Sequence, residues 1–301
     1  MARSVSTIPS APLLAARDVI ELLKPITWFP PMWAFMCGVV SSGVSIDGRW
    51  AFLIAGIVLT GPLVCGNSQA INDWFDRHVD AINQPDRPIP SGRIAGNWGL
   101  RIAVVGSLLS LAVAWLIGPW VFAATILGVA CAWAYSAPPF RFKTSGWLGP
   151  AVVALTYEGL TWFTGASVMA GTLPSGQILA VLLLYSIGAF GIMTLNDFKA
   201  VTGDRATGLR SLPVTLGIGY AARLACLVMA AAQLVVIALL WRWGMTYSCA
   251  AVTAVLLAQC ALMPRLLSDP VRNAPWYAAL GVTLYVLGML AAALGLGGYL
   301  G

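Results

Sequence analysis

An all-α membrane protein is predicted by three features of this 301-residue sequence. Hydrophobic residues make up 59% of it and charged residues only 9%, where a soluble domain carries about a quarter charged. Mean hydropathy is +0.83. The apolar residues also form stretches that reach the roughly 20 residues needed to span a bilayer as a helix. Nine such stretches are read: Ile26–Ile46, Trp50–Ile71, Leu100–Ile117, Pro119–Ala137, Leu148–Val168, Gln177–Leu195, Ala221–Trp241, Met245–Met263 and Trp276–Leu296. Only Gly118-Pro119 separates the third from the fourth.

Charge placement gives the expected orientation. All but two of the seventeen Lys and Arg residues, the exceptions being Arg49 and Arg242, lie in the N-terminus, in the loops after spans two, four, six and eight, or (Arg101, Arg223) in the first residues of the spans that those loops enter. The positive-inside rule puts that side in the cytoplasm. Nine spans then leave the C-terminus outside, on the periplasmic face of a bacterial inner (intracytoplasmic) membrane. The net charge of +6 and pI near 9.2 are on this view a topology signal, and nucleic acid is not an expected partner. Six cysteines sit singly in apolar runs and read as small buried side chains. Met1–Leu23 has no long apolar core before a cleavage site, so no signal peptide is expected.

The polar exception is Asn72–Gly92, NDWFDRHVDAINQPDRPIPSG, with four of the eleven carboxylates: Asp73, Asp76, Asp80 and Asp86. On a helix, Asp73, Asp76 and Asp80 share a face, and Asn72, Asp76 and Asp80 form an adjacent stripe at spacings of four. Like charges so close repel unless a cation lies between them. A solvated helix end and a metal site both accommodate this. The second is favoured by an echo 124 residues on, where Asn196-Asp197 repeats Asn72-Asp73 and Asp204 repeats Asp80. The offset suggests one domain over 1–301 with two parallel four-helix halves, about 20–145 and 146–265, and a ninth helix at about 276–296. Parallel repeats place sites between the halves.

Carboxylates with nearby cations suit Mg²⁺ and a diphosphate. The cations within sequence reach are Arg87, Arg93, Arg141, Lys143, Lys199, Arg205 and Arg210. Pro85, Pro88 and Pro90 end the acidic helix and fix a loop that is either a connector or a lid. Gly203 is expected to break the helix between Asp197 and Asp204. Glu158 lies mid-span beside Tyr157. An intramembrane charge is costly, so it is either functional or a protonated acid bonded to a neighbouring helix. Tyr157, Trp162 and Phe163 are candidates to line an aromatic cavity. His78 reads as exposed or salt-bridging. No GxxxxGK[ST] loop is present, which argues against nucleotide hydrolysis.

Nine spans with NxxxDxxxD at Asn72, Asp76 and Asp80, and an Asp motif after the sixth, resemble the UbiA superfamily of intramembrane prenyltransferases. KPITWFPPMWAFMCGVVSSG, QAINDWFDRHVDAINQPDRPIPSG, YSAPPFRFK and LNDFKAVTGDRATGLRSLP resemble its chlorophyll synthase branch, and with no long N-terminal transit segment the bacteriochlorophyll side of it. The resemblance implies transfer of geranylgeranyl or phytyl from its diphosphate to the propionate of bacteriochlorophyllide. It implies Mg²⁺, with Mn²⁺ as a substitute, on Asp73, Asp76, Asp80, Asp197 and Asp204, assisted by Asn72. Arg141, Lys143, Lys199 and Arg205 would neutralise the leaving group. Ala200 stands where many members have Asp, four residues before Asp204, which leaves the second ligand set open.

The chemistry is coherent in its own right. An allylic C–O bond ionises when the departing diphosphate is stabilised, and a carboxylate acceptor needs no base. Rival functions are prenyl transfer to a quinone precursor or to haem, and an ion-coupled transporter. Against the transporter, the carboxylates lie at helix ends and not at mid-membrane. The DGxxAR run of CDP-alcohol phosphotransferases is absent.

Overall fold

The computed structural model describes residues 14–300, apart from the side chains of Ala206 and Thr207; Arg3, counted above for orientation, lies outside them. The chain is helical throughout, and among the described residues the only β pairing is one bridge between Ser145 and Arg210. Fourteen α-helical segments follow in order: α1 Ala16–Leu23, α2 Phe29–Ser41, α3 Trp50–Val58, α4 Asn67–Asn83, α5 Trp98–Ile117, α6 Pro119–Ser136, α7 Leu148–Ala154, α8 Thr161–Ala170, α9 Gly176–Asp197, α10 Val201–Thr207, α11 Leu212–Thr215, α12 Ile218–Arg242, α13 Thr246–Ser268 and α14 Pro270–Leu296.

Seven helices in the described residues are long and apolar enough to cross a membrane, including the continuous Trp50–Asn83 and Gly176–Arg205. The protein is therefore an integral membrane protein. Two of the nine expected spans fall short of that standard, for local reasons. The first is helical only over Phe29–Ser41, thirteen residues. Prolines at the first helical positions block extension toward Ile26, and Gly43, left-handed at φ 66°, ends it on the other side. The fifth is diluted by Thr156, Tyr157, Glu158, Thr161 and Thr164, and it runs as α7, a π-helical turn over Leu155–Leu160 and α8. A matching π-helical turn, Leu59–Gly66, joins α3 to α4 and contains Pro62, whose missing N–H cannot continue an α ladder.

These two interrupted helices come together. The Tyr157 hydroxyl in the second π turn lies 3.4 Å from Cys65 Sγ in the first and accepts from Gln69 Nε2 at 3.2 Å. The short α2 packs hard on α8. A Cβ on Gly38 would lie 2.0 Å from the Trp162 carbonyl oxygen, and one on Gly165 2.0 Å from that of Phe35. Small residues permit this approach where lipid offers no hydrophobic drive. One buried cluster joins α2, α8, α9, α12, α13 and α14 through Trp162, Tyr185, Met229 and Tyr285. Another holds α2, α3, α5, α6 and α8 through Phe35, Leu53, Ala114 and Val121. A third, Leu22, Ala70 and Ile94, seats α1 on α4 beside the proline-rich loop.

Gly203 breaks nothing. α9 runs to Asp197, a 3₁₀ turn covers Phe198–Ala200, and Val201–Thr207 is helical through Gly203. What separates Asp197 from Asp204 is the 3₁₀ turn, whose side chains gave no breaker signal.

Candidate functional site

α4 delivers its carboxylates as the spacing predicts, and each meets a cation from a distant segment. Lys24, at the C-terminal end of α1, donates to Asp73 Oδ1 at 2.6 Å. Arg87, from the proline-rich loop, reaches both Asp73 at 3.3 Å and Asp80 at 2.7 Å, which proves the shared face of this i, i+7 pair. Lys143, from the loop after α6, pairs with Asp76. Burial pulls the Lys143 ammonium below its ordinary range, a pull that its bond to Asp76 opposes. Asn72 donates to Asp76 at 3.0 Å and to Ser136 at 3.3 Å. Three carboxylates thus face three cations, so the repulsion along α4 is cancelled.

The second group is built differently. Asp197 is half-buried at the end of α9 and feels the charge of Asp204 in α10. Among the described residues it makes no ion pair. The Tyr135 side chain, near the end of α6, lies within the fields of both Asp197 and Asp76 and so marks the seam between the two groups. Lys199, Arg205 and Arg210 are exposed around it. The main chain of Arg210 is pinned to the loop carrying Lys143, its carbonyl accepting from Gly146 N–H at 2.9 Å. Gly146 is required there, since a Cβ would stand 2.5 Å from that carbonyl oxygen. Arg141 is exposed and holds a left-handed backbone at φ 42°, a costly conformation outside glycine.

Cations stand among the α4 carboxylates expected around a metal. Among the described residues no three His, Cys, Asp or Glu side chains come close enough to hold an ion by themselves, because Lys24, Arg87 and Lys143 stand among the α4 aspartates. The donors still fit Mg²⁺. All are oxygens, Asp73 Oδ2 is a buried acceptor without a partner, and Mg²⁺ is ordinarily held by one or two carboxylates with waters and substrate phosphates.

Other candidates are placed as follows. Glu158 is buried in its π turn, with Oε2 unpartnered. It is felt by Cys37 of α2 and Tyr285 of α14. Trp162 packs in the core. It is fully buried, donates to Ser41 Oγ at 3.0 Å and stacks on Tyr185 at 5.8 Å, because the α2–α8 contact leaves it no free face. Arg93 turns away from the aspartates, toward α1. His78 is exposed. Lys24 has no role expected from sequence; its signal there is that it opens the segment KPITWFPPMWAFMCGVVSSG. Tyr135 and Ser136 open the segment YSAPPFRFK, where neither carries an expected role.

A bundle of membrane-crossing helices with matched carboxylates and cations at helix ends defines an intramembrane enzyme for an anionic substrate. The model of the UbiA prenyltransferase family matches residues 27–285, and the chain belongs to that family: it is a prenyltransferase. It is 59% identical over 282 residues, 94% of this chain and 93% of the other, to the bacteriochlorophyll synthase 33 kDa chain of Cereibacter sphaeroides. Its fold is similar to that of a digeranylgeranylglyceryl phosphate synthase, with TM-score 0.75, 19% identity, and 93% and 98% of the two chains covered. It is also similar to a UbiA homologue from Archaeoglobus fulgidus bound to GPP and Mg²⁺, with TM-score 0.67, 19% identity, and 89% and 99% covered.

Proposed function

We propose that this prenyltransferase esterifies the propionate of bacteriochlorophyllide with geranylgeranyl or phytyl taken from its diphosphate. The observation that carries the reading is the charge-matched end of α4, where Asp73, Asp76 and Asp80 meet Lys24, Lys143 and Arg87. The acceptor rests on the name of the 59% identical relative.

In the reaction the allylic C–O bond breaks and its electron pair leaves with the diphosphate. A carboxylate oxygen of the acceptor supplies the pair for the new C–O bond. No proton is removed, which suits a site without a base. Asp76 and Asp80, with Asp73, Asp197 and Asp204, would hold Mg²⁺, and Mn²⁺ is a candidate substitute. When bound, the ion supplies positive charge to the leaving group. Lys143 and Arg87 stand ready to share their charge with diphosphate oxygens, with Arg141, Lys199, Arg205 and Arg210 around the rim, and Asn72 orients Asp76. Such preorganised charge is the main aid to ionisation. Tyr157 lies where the two π turns meet, bonded to Gln69 in the first turn of α4, a position suited to the isoprenoid. Trp162 supports that wall from the core, and Glu158 is assigned to the acceptor side.

The architecture proposed is nine spans, counting Phe29–Ser41 and Leu148–Ala170 with the seven long helices, in two halves and a ninth helix. The N-terminus would be cytoplasmic and the C-terminus periplasmic, in the bacterial inner membrane. Purified protein given geranylgeranyl diphosphate and bacteriochlorophyllide, chlorophyllide or 4-hydroxybenzoate tests the acceptor. A prenyl ester of the bacteriochlorin is expected by chromatography. Prenylation of 4-hydroxybenzoate alone overturns the assignment.

A further inference from the structure

Arg93 makes more contacts than any other cation at the rim, and none of them reaches the α4 aspartates. Its guanidinium grips both oxygens of Glu21 at 2.7 Å and Asp18 at 2.5 Å, both on α1, and donates at 2.7 Å to the Asp86 carbonyl within its own loop. Its bonds to Glu21 hold that carboxyl below its ordinary range. Isolated surface ion pairs contribute little, but this is a two-pronged contact within a network.

The two segments it fastens each carry a cation to the same aspartate. α1 ends at Lys24, which bonds Asp73, and the loop carries Arg87, which bonds Asp73 and Asp80. Lys24 sits at φ 46°, a left-handed conformation that persists in a non-glycine residue only where its surroundings enforce it. Here it is tied on both sides. Its N–H donates to the carbonyl of Glu21, the residue Arg93 holds, and its ammonium is held by Asp73.

We infer that Arg93 is a positioning residue: by locking α1 to the proline-rich loop, it presents Lys24 and Arg87 together to Asp73. It touches no reacting atom and acts through those two cations, so the inference rests on the prenyltransfer site proposed above. The buried contact of Leu22 with Ala70 and Ile94 keeps α1 seated without the latch. Losing Arg93 therefore loosens the cations without unfolding the bundle.

Two readouts test this. Hydrogen exchange of substrate-free protein follows the amides of Lys24 and Thr27 in one segment and Ile94 in the other, each bonded within its own segment. Arg93→Ala should speed exchange in both together. The exchanged pair Glu21→Arg with Arg93→Glu, made together with Asp18→Asn so that position 93 meets no like charge, should restore both, and Arg93→Lys, which keeps the charge without the fork, should fall between. In steady-state prenyl transfer, Arg93→Ala should lower kcat/KM for the diphosphate roughly tenfold, the usual scale for a residue orienting a ligand-binding neighbour. The exchanged pair should recover it. Loosening of the loop alone, unchanged kcat/KM, or a loss that the exchanged pair does not repair overturns the inference. A wild-type protein that transfers no prenyl group sinks the catalytic reading, and the exchange result still decides whether the latch couples the two segments.

Discussion

The two acidic groups differ in how their charge is balanced. Around the end of α4, Asp73, Asp76 and Asp80 are matched by Lys24, Lys143 and Arg87. At the end of α9, half-buried Asp197 has Asp204 as its electrostatic neighbour and no ion pair among the described residues. The first group is therefore part of the fold's own bonding as well as of the site. In the second, Asp197 is half-buried beside the charge of Asp204. On the proposed function an α4 aspartate serves both the fold and the site, while Asp197 serves the site.

Chelation is the widest test of this difference. Excess chelator should abolish turnover while leaving the unfolding midpoint of the apo protein in place, because the α4 carboxylates are already neutralised by side chains. Full turnover in chelator removes the metal from the mechanism. Asp76→Asn should lower turnover about 10²–10³-fold, the range for losing one element of charge stabilisation. Its stability should change little, since the site is half-exposed. A near-normal rate in that variant returns Asp76 to a surface role.

Asp73→Ala and Asp197→Asn set the two groups directly against each other. Removing Asp73 strands Lys24 and part of Arg87, and should destabilise the protein by about 3 kcal/mol in denaturant unfolding, as for breaking a buried pair. Removing the charge of Asp197 should leave the unfolding midpoint unchanged or raised, yet still depress turnover. Equal destabilisation by both would erase the contrast drawn here. The smallest effect is expected at Glu158, away from both groups. Glu158→Gln should raise the KM for the acceptor by about twofold to tenfold, the scale of one lost contact, with the diphosphate KM unchanged. Equal shifts in both constants would make Glu158 a packing residue.

Much of this was legible locally. The membrane class, the break at Gly118-Pro119 and the shared face of Asp73 and Asp80 follow from hydropathy, proline chemistry and helical period, which act over a few residues. The truncated first helix was legible too, in Pro30, Pro31 and Gly43, but hydropathy outweighed them in the reading. The 3₁₀ turn at Phe198–Ala200 was not legible, because buried Phe198 sets it by packing and no helix breaker is present.

By itself the sequence determined that this is a helical membrane protein with its carboxylates on one face of a helix end, since such patterns repeat every turn. Which cation each carboxylate holds was decided only by the tertiary structure. Lys24 stands 49 residues from Asp73 and Lys143 67 residues from Asp76. Arg87 and Arg93 sit six positions apart in one loop, yet one turns to α4 and the other to α1. A charge's partner depends on where packing brings the chain back, and that information lies in no local stretch.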